Sequence, residues 1–326
     1  MFALYNLKRE GIVVNSEQRS FLSLMEMSPE SFTTLLHLAT QLKNEKKNGI
    51  YPQRLKNKNV GLIFEKLSTR TRSAFSVALH DEGAHADFLS THDIHTGEKE
   101  SWADTARVLG RFYDALVFRG SEQSKIENLA QHSSRPVINA LTDDEHPTQA
   151  VADLLTLKER FGKLSGLRLV YVGDAANNVA HSLMLGAALC GVHFVVAAPE
   201  SLWPQQRFLE RARLLSAETG GSISLCTNPQ VAVEGADAIY TDVWVSMGFE
   251  SKLDVSSRIR LLAPYQVNST LFEKTGKRDA VFLHCLPACK GMEVTEDVFE
   301  SERSLVFEQA ENRMHSIKAV LLRYLG

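Results

Sequence analysis

Three polar islands carry the residue types that chemistry on a small anionic ligand would need. They are Ser68-Thr69-Arg70-Thr71, His146-Pro147-Thr148-Gln149 and His284-Cys285-Leu286-Pro287-Ala288, each lying where an apolar run gives way to a helix-like segment. That junction is where open α/β sheets hold ligands. The first island follows Val60-Gly61-Leu62-Ile63-Phe64 and precedes an amphipathic run with Ala74, Phe75, Val77 and Ala78, so it is predicted to open a helix. Backbone N–H groups at a helix start attract phosphate. The hydroxyls of Ser68, Thr69 and Thr71 add donors, and Arg70 can grip a dianion through two N–H groups. Such a site suits a phosphate that departs during reaction. Alone, the same four residues could be a Ser/Thr helix cap beside a surface arginine, so the other two islands decide the reading.

In the second island His146 stands directly before Pro147 at a predicted helix start. The proline restricts its backbone, and the imidazole can then donate to a carbonyl oxygen from the strand ends. An acidic neighbour in Asp143-Asp144-Glu145 would tune that imidazole if it were exposed. Gln149 is expected to face the same way, and a satisfied capping histidine is the plainer alternative. In the third island Cys285 closes the apolar strand Ala280-Val281-Phe282-Leu283, at the sheet edge that binds ligands. Adjacent residues on a strand point to opposite faces, so His284 is not expected to activate the Cys285 thiol. Positioning is expected rather than a covalent thiol intermediate.

These islands need a scaffold that brings strand ends together, and the chain has the pattern for one. Its 326 residues exceed one comfortable core, which predicts two domains. Apolar residues make up 44% and charged residues 23%, with a formal net charge of −3, so there is no basic footprint for nucleic acid and any anion must be caught locally. No apolar run approaches the roughly 20 residues of a membrane span. Cys190, Cys226, Cys285 and Cys289 form no disulfide framework and the N-terminus lacks a leader pattern, which points to a soluble protein of the cytoplasm.

Alternation of strand-like and helix-like segments predicts an α/β fold of two doubly wound domains, each a mostly parallel sheet flanked by helices. Strands are expected over 60–65, 86–90, 115–119 and 136–140, then 167–173, 192–198, 222–226, 237–241 and 280–284. A helix from Pro147 to about Gly162 connects domains assigned to 1–147 and 148–326, and a final helix from Val306 to Tyr324 returns to the first.

Six motifs in order carry a family resemblance. Phe64-Glu65-Lys66-Leu67-Ser68-Thr69-Arg70-Thr71-Arg72, His146-Pro147-Thr148-Gln149, Gly173-Asp174-Ala175-Ala176-Asn177-Asn178, Asp242-Val243-Trp244-Val245-Ser246-Met247-Gly248, His284-Cys285-Leu286-Pro287-Ala288 and Glu311-Asn312-Arg313-Met314-His315 resemble those of the ornithine carbamoyltransferases, over residues from about 28 to the end. The resemblance implies transfer of the carbamoyl group of carbamoyl phosphate to the δ-amino group of L-ornithine, giving L-citrulline and phosphate, as in arginine biosynthesis. It also implies a homotrimer with active sites at subunit interfaces, no nucleic-acid or membrane partner, and no metal or organic cofactor. Carried over by position, Ser68, Thr69, Arg70 and Thr71 bind the phosphate, while Arg119, His146, Gln149, Cys285, Leu286 and Arg313 surround the carbamoyl group. Of these, Arg119, His146, Cys285 and Arg313 are the implied catalytic residues. Ornithine is assigned to Asn178, Asp242, Ser246 and Met247, with Asp242 facing the α-amino group.

Two positions depart from the family pattern. His95 aligns where these enzymes usually carry a glutamine supplied across the subunit interface to carbamoyl phosphate, and imidazole cannot copy an amide's paired donor and acceptor. Phe249 stands where an acid commonly follows Ser-Met-Gly. Both would affect a bisubstrate-like inhibitor more than ornithine itself, suggesting an inhibitor-tolerant form similar to the phaseolotoxin-insensitive enzymes. Among other activities, an aspartate enzyme is disfavoured because Asp242 suits a cationic substrate. Putrescine and N-acetylornithine enzymes are nearer alternatives, and a non-catalytic ligand-binding or regulatory module on the same fold is the alternative of another class. A dinucleotide-binding dehydrogenase is opposed by the lack of G-x-G-x-x-G after Val172.

Overall fold

The computed structural model describes residues 19–90, 100–245 and 254–326. They form two compact units, the first comprising the described residues up to Glu26, Glu30–Ala152 and Asn312–Gly326, the second Met27–Pro29 and Asp153–Glu311. The division falls after Ala152, inside the helix Pro147–Phe161, and not at its start as the sequence pattern suggests.

The first unit begins with α1 (Pro29–Lys47) and continues through β1 (Asn59–Phe64), α2 (Thr69–Asp81), β2 (His85–Ser90), α3 (Trp102–Phe112), β3 (Ala115–Arg119), α4 (Gln123–His132) and β4 (Val137–Leu141). The strands are all parallel, in the order β2-β1-β3-β4. The five residues of β3, Ala-Leu-Val-Phe-Arg, are buried throughout, as a parallel strand covered on both faces should be. Ile63, Leu116, Phe118, Ile126, Leu129 and Val137 pack together behind it, and Trp102 meets Phe118 edge to face at 5.5 Å. Successive strands run β1 to β2 in one direction and β3 to β4 in the other, so the strand order reverses between β1 and β3. A crevice forms outside the carboxyl ends at such a reversal.

The second unit carries the remainder of α5 (Pro147–Phe161), then β5 (Arg168–Val172), α6 (Asn178–Leu189), β6 (His193–Ala197), α7 (Gln206–Thr219), β7 (Ser222–Cys226), α8 (Pro229–Ala232), β8 (Ala238–Thr241), α9 (Val255–Leu262), α10 (Ser269–Glu273), β9 (Val281–His284), α11 (Glu296–Phe299) and the start of α12 (Val306–Leu325). Its sheet is parallel with the order β7-β6-β5-β8-β9, and the reversal here lies between β5 and β8. Helix α6 is buried from Val179 to Leu189, which explains why its sequence is apolar on every side. Among the described residues no helix is long and apolar enough to cross a membrane.

Candidate active-site groups

At the reversal in the first unit, Ser68 caps α2, its Oγ accepting from the Thr71 backbone N–H at 3.1 Å. Thr69 and Arg70 are the first two helical residues, so their backbone N–H groups belong to the helix start that favours anions. Ser68 and Arg70 are half-buried and Thr69 is exposed. Thr71 turns inward and is buried. Its Oγ1 accepts from Arg119 Nη1 at 3.3 Å and from Arg313 Nη2 at 3.0 Å, and Arg313 Nη1 donates to Gln149 Oε1 at 2.5 Å. Arg119 closes β3, Gln149 lies in the first turn of α5, and Arg313 comes from α12. Two separate elements, β3 and α12, therefore bring two buried guanidinium groups onto one hydroxyl of α2.

His146 stands just before α5, and its carbonyl accepts from the Gln149 and Ala150 N–H groups at 3.0 and 3.3 Å. The imidazole is buried. Burial first, then the charges of Arg313 and Arg119, hold its pKa well below the ordinary value of 6.5, because all three oppose a further positive charge. A neutral ring results. Of the acidic residues that precede it, Glu145 has its carboxylate engaged by Ser23 Oγ and, at 3.0 Å, by the Leu24 N–H.

Glycine at position 120 permits the neighbouring geometry. A Cβ there would lie 2.3 Å from Glu65 Oε2, and that carboxylate accepts from Ser121 N–H at 3.1 Å while its other oxygen takes Lys125 at 2.9 Å. Glu65, held by Lys125, thus fixes the backbone just after Arg119. Glu65 belongs to a quoted motif, yet nothing in its spacing indicated this partner.

In the second unit Asp242 follows β8 and Cys285 follows β9, on paired strands. Cys285 Sγ donates to Asp242 Oδ1 at 3.0 Å, and the same oxygen accepts the Val243 N–H at 2.8 Å. Beneath them Tyr171 and Tyr240 are fully buried and stacked at 5.7 Å. Burial raises both phenols well above their ordinary pKa of 10.0, and the Asp242 charge adds to this. Both remain uncharged, and each oxygen accepts an amide N–H, Tyr171 from Asn177 and Tyr240 from Gln309. Asn178 begins α6 after β5, the strand on the other side of the reversal, and Asn177 caps that helix while its amide donates to Tyr171 Oη at 3.0 Å. Leu286 has φ of +60°, unusual for a branched residue. Its N–H donates to His284 Nδ1 at 2.9 Å, which holds the turn.

His284 corrects one expectation. Strand β9 ends at His284, so the alternation of faces no longer governs Cys285, and the ligand atoms of Asp242, His284 and Cys285 lie within 4.8 Å of one another. The ring is nevertheless committed elsewhere, with Nδ1 accepting from Leu286 and Nε2 3.2 Å from Glu293 Oε1. A metal held by these three residues would have to displace one of those contacts. The thiol's partner is the carboxylate. Asp174 and Arg258 are a further pair that the motifs left unassigned: Arg258 donates to Asp174 Oδ2 and, at 2.6 Å, to the Trp244 carbonyl. Burial raises the pKa of Asp174 while Arg258 opposes the rise. His95, Ser246, Met247 and Phe249 lie outside the described residues.

The model of the carbamoyl-P binding domain of aspartate/ornithine carbamoyltransferase matches residues 19–159, and that of the Asp/Orn binding domain matches residues 165–324. The chain is 52% identical to an ornithine carbamoyltransferase of Caldanaerobacter subterraneus, over 95% of this chain and 99% of the relative. It is 50% identical to a catabolic ornithine carbamoyltransferase of Staphylococcus aureus, over 94% and 96% respectively. The structure of the Pyrococcus furiosus ornithine carbamoyltransferase superposes with a TM-score of 0.91 at 44% identity, covering 95% of this chain and 97% of that one. Two parallel-sheet units with polar groups gathered at both strand-order reversals are thus those of a transferase. The chain belongs to the aspartate/ornithine carbamoyltransferase family.

Proposed function

We propose that the protein transfers the carbamoyl group of carbamoyl phosphate to the δ-amino group of L-ornithine, releasing L-citrulline and phosphate. The observation that carries this reading is the convergence of Arg119 and Arg313 on Thr71 beside a neutral His146. In this reading Ser68, Thr69 and Arg70 hold the phosphate at the start of α2. The guanidinium groups, the neutral imidazole and the Thr71 hydroxyl face the carbonyl oxygen on which charge develops. A hydroxyl that accepts two N–H bonds still has its own proton to donate, and fixed donors aimed at a developing oxyanion lower the barrier most.

Ornithine is the substrate that suits the second unit, where Asp242 offers a carboxylate to an α-ammonium group and Asn178 an amide to a carboxylate. The attacking nitrogen must be uncharged. Its intrinsic pKa is close to that of lysine, so a proton leaves before the C–N bond forms. As that bond forms, the C–O bond to phosphate breaks, and the second N–H proton is lost from the adduct; the departing phosphate is a base the reaction itself supplies. The Cys285 thiol, engaged by Asp242, serves as a donor in this scheme and forms no bond to carbon.

Citrulline formation with carbamoyl phosphate and each of ornithine, putrescine, N-acetylornithine and aspartate tests the assignment. Ornithine should give the highest kcat/KM, and preference for another amine would overturn it. The expected assembly is a homotrimer, checked by light scattering, and the expected compartment is the cytoplasm, checked by cell fractionation. Comparing His95→Gln with wild type for carbamoyl phosphate KM and for inhibition by a bisubstrate-like analogue tests the inhibitor-tolerant reading, which unchanged values would discard.

A further inference from the structure

The open edge of β4 is covered by residues near the beginning of the described chain. Phe21 N–H donates to the Val137 carbonyl at 2.9 Å, and Asn139 N–H returns to the Phe21 carbonyl at 2.7 Å, making a parallel bridge opposite Ile138. Ser20 Oγ accepts from Val137 N–H at 3.0 Å and the Asn139 amide donates to the Leu22 carbonyl at 2.8 Å. Phe21 is buried. The segment thus runs alongside β4 toward its carboxyl end, where the chain turns through Thr142–Glu145 into His146.

That turn is closed on itself and then tied to the segment. Thr142 N–H donates to the Glu145 carbonyl at 2.9 Å, and Glu145 N–H reaches Thr142 Oγ1 at 3.3 Å. The Glu145 side chain is 2% exposed. One carboxylate oxygen takes the Ser23 hydroxyl and the other the Leu24 N–H at 3.0 Å. Both donors are neutral. A carboxylate at this depth is held by hydrogen bonds that it cannot exchange for water. The next residue is His146, whose own carbonyl is fixed by the first turn of α5.

We propose that Glu145 is a positioning residue for carbamoyl phosphate binding, setting the placement of His146 by clasping Ser23 and Leu24. The proposal rests on the reading of His146 as a carbamoyl-site group. Loss of the clasp frees the backbone on the amino side of His146 while leaving the Arg119–Thr71–Arg313 cluster and the second unit's residues with their own partners. The effect should therefore fall on one substrate. A glutamine at 145 keeps an acceptor for Leu24 N–H, and its NH2 can donate to Ser23 Oγ, since a hydroxyl reverses its role freely.

Steady-state kinetics of Glu145→Ala, Glu145→Gln, Ser23→Ala and His146→Ala on the full chain test this. Glu145→Ala should raise the KM for carbamoyl phosphate by about tenfold or more with the KM for ornithine changed less than about twofold, and Gln should recover most of the loss. Such a change is worth about 1.4 kcal/mol, the scale of a charge-assisted hydrogen bond. Should Glu145→Ala fail to fold, Ser23→Ala, which removes one of the two donors, must show a smaller shift of the same kind. Equal changes in both KM values, or no change in carbamoyl phosphate KM for any clasp variant, would overturn the proposal. A His146→Ala enzyme with wild-type carbamoyl phosphate KM would instead refute the role given to His146, so the two failures are separable.

Discussion

Cys285 Sγ donates to Asp242 Oδ1 across 3.0 Å, each residue directly following one of the paired strands β9 and β8. The contact orients the thiol and marks Asp242 as the charged member of the pair, which is the arrangement expected where a cationic amino acid docks beside a donor. A nucleophilic thiol would instead be paired with a base that takes its proton, and the adjacent His284 imidazole is held by Leu286 and Glu293.

Cys285→Ser should therefore remain active, because a hydroxyl still donates to Asp242. A drop of about tenfold or less in kcat is expected, the effect of weakening roughly one hydrogen bond. Asp242→Asn removes the charge proposed to meet the α-ammonium group and should raise ornithine KM by about ten- to a hundredfold. Steady-state assays on both variants check this. A serine variant with no measurable turnover, or a covalent carbamoyl adduct seen by mass spectrometry in wild type, contradicts the positioning role.

The buried imidazole of His146 gives a pH signature. Its folded pKa lies below the ordinary 6.5, so beneath that pH the unfolded chain binds a proton that the folded chain refuses. Stability on this account is constant above about pH 6.5 and declines as pH falls toward the folded value, by up to about 1.4 kcal/mol per pH unit. Melting temperature measured from pH 7.5 downward should fall less steeply in His146→Gln than in wild type. Identical slopes would show that the ring titrates normally.

Thr71 is the shared acceptor of two buried guanidinium groups. Thr71→Val keeps the shape and leaves both Arg119 and Arg313 without that oxygen, at a cost of about 1–3 kcal/mol in stability. Carbamoyl phosphate binding, followed by calorimetry, should weaken at the same time. Thr71→Ser retains the hydroxyl and should preserve both properties.

Arg258 balances a carboxylate that burial already disfavours. Arg258→Leu leaves Asp174 buried without its countercharge, a change that typically costs about 3–5 kcal/mol. Adding Asp174→Asn to that variant removes the stranded charge and should recover much of the loss in a urea midpoint. Since Arg258 also holds the Trp244 carbonyl two residues beyond Asp242, ornithine KM should stay raised in the double variant.

The sheet framework could be read from the chain because parallel strands buried on both faces are short apolar runs between helix signals. Each expected strand occurs within a residue or two of its predicted ends, and the cap at Ser68 and the start of α5 at Pro147 follow from local residue types. Short helices such as Pro229–Ala232 and Glu296–Phe299 escaped notice because they span a single turn, too brief for a period to register. The supports of the site were also hidden. Glu145, Glu65 and Asp174 each act through a partner distant in sequence, and an isolated carboxylate in a polar turn looks solvated until the fold buries it.

The hydroxyl of Thr71 and the guanidinium of Arg313 are 242 positions apart. A chain emerging from the ribosome therefore holds Thr71, Arg119 and Gln149 long before it has the second arginine, and the first unit cannot complete the proposed anion cradle until the final helix is released. Partly synthesised molecules have no means of capturing carbamoyl phosphate in the finished geometry. Supplied separately, the last helix is the fragment with which a shortened polypeptide could be complemented.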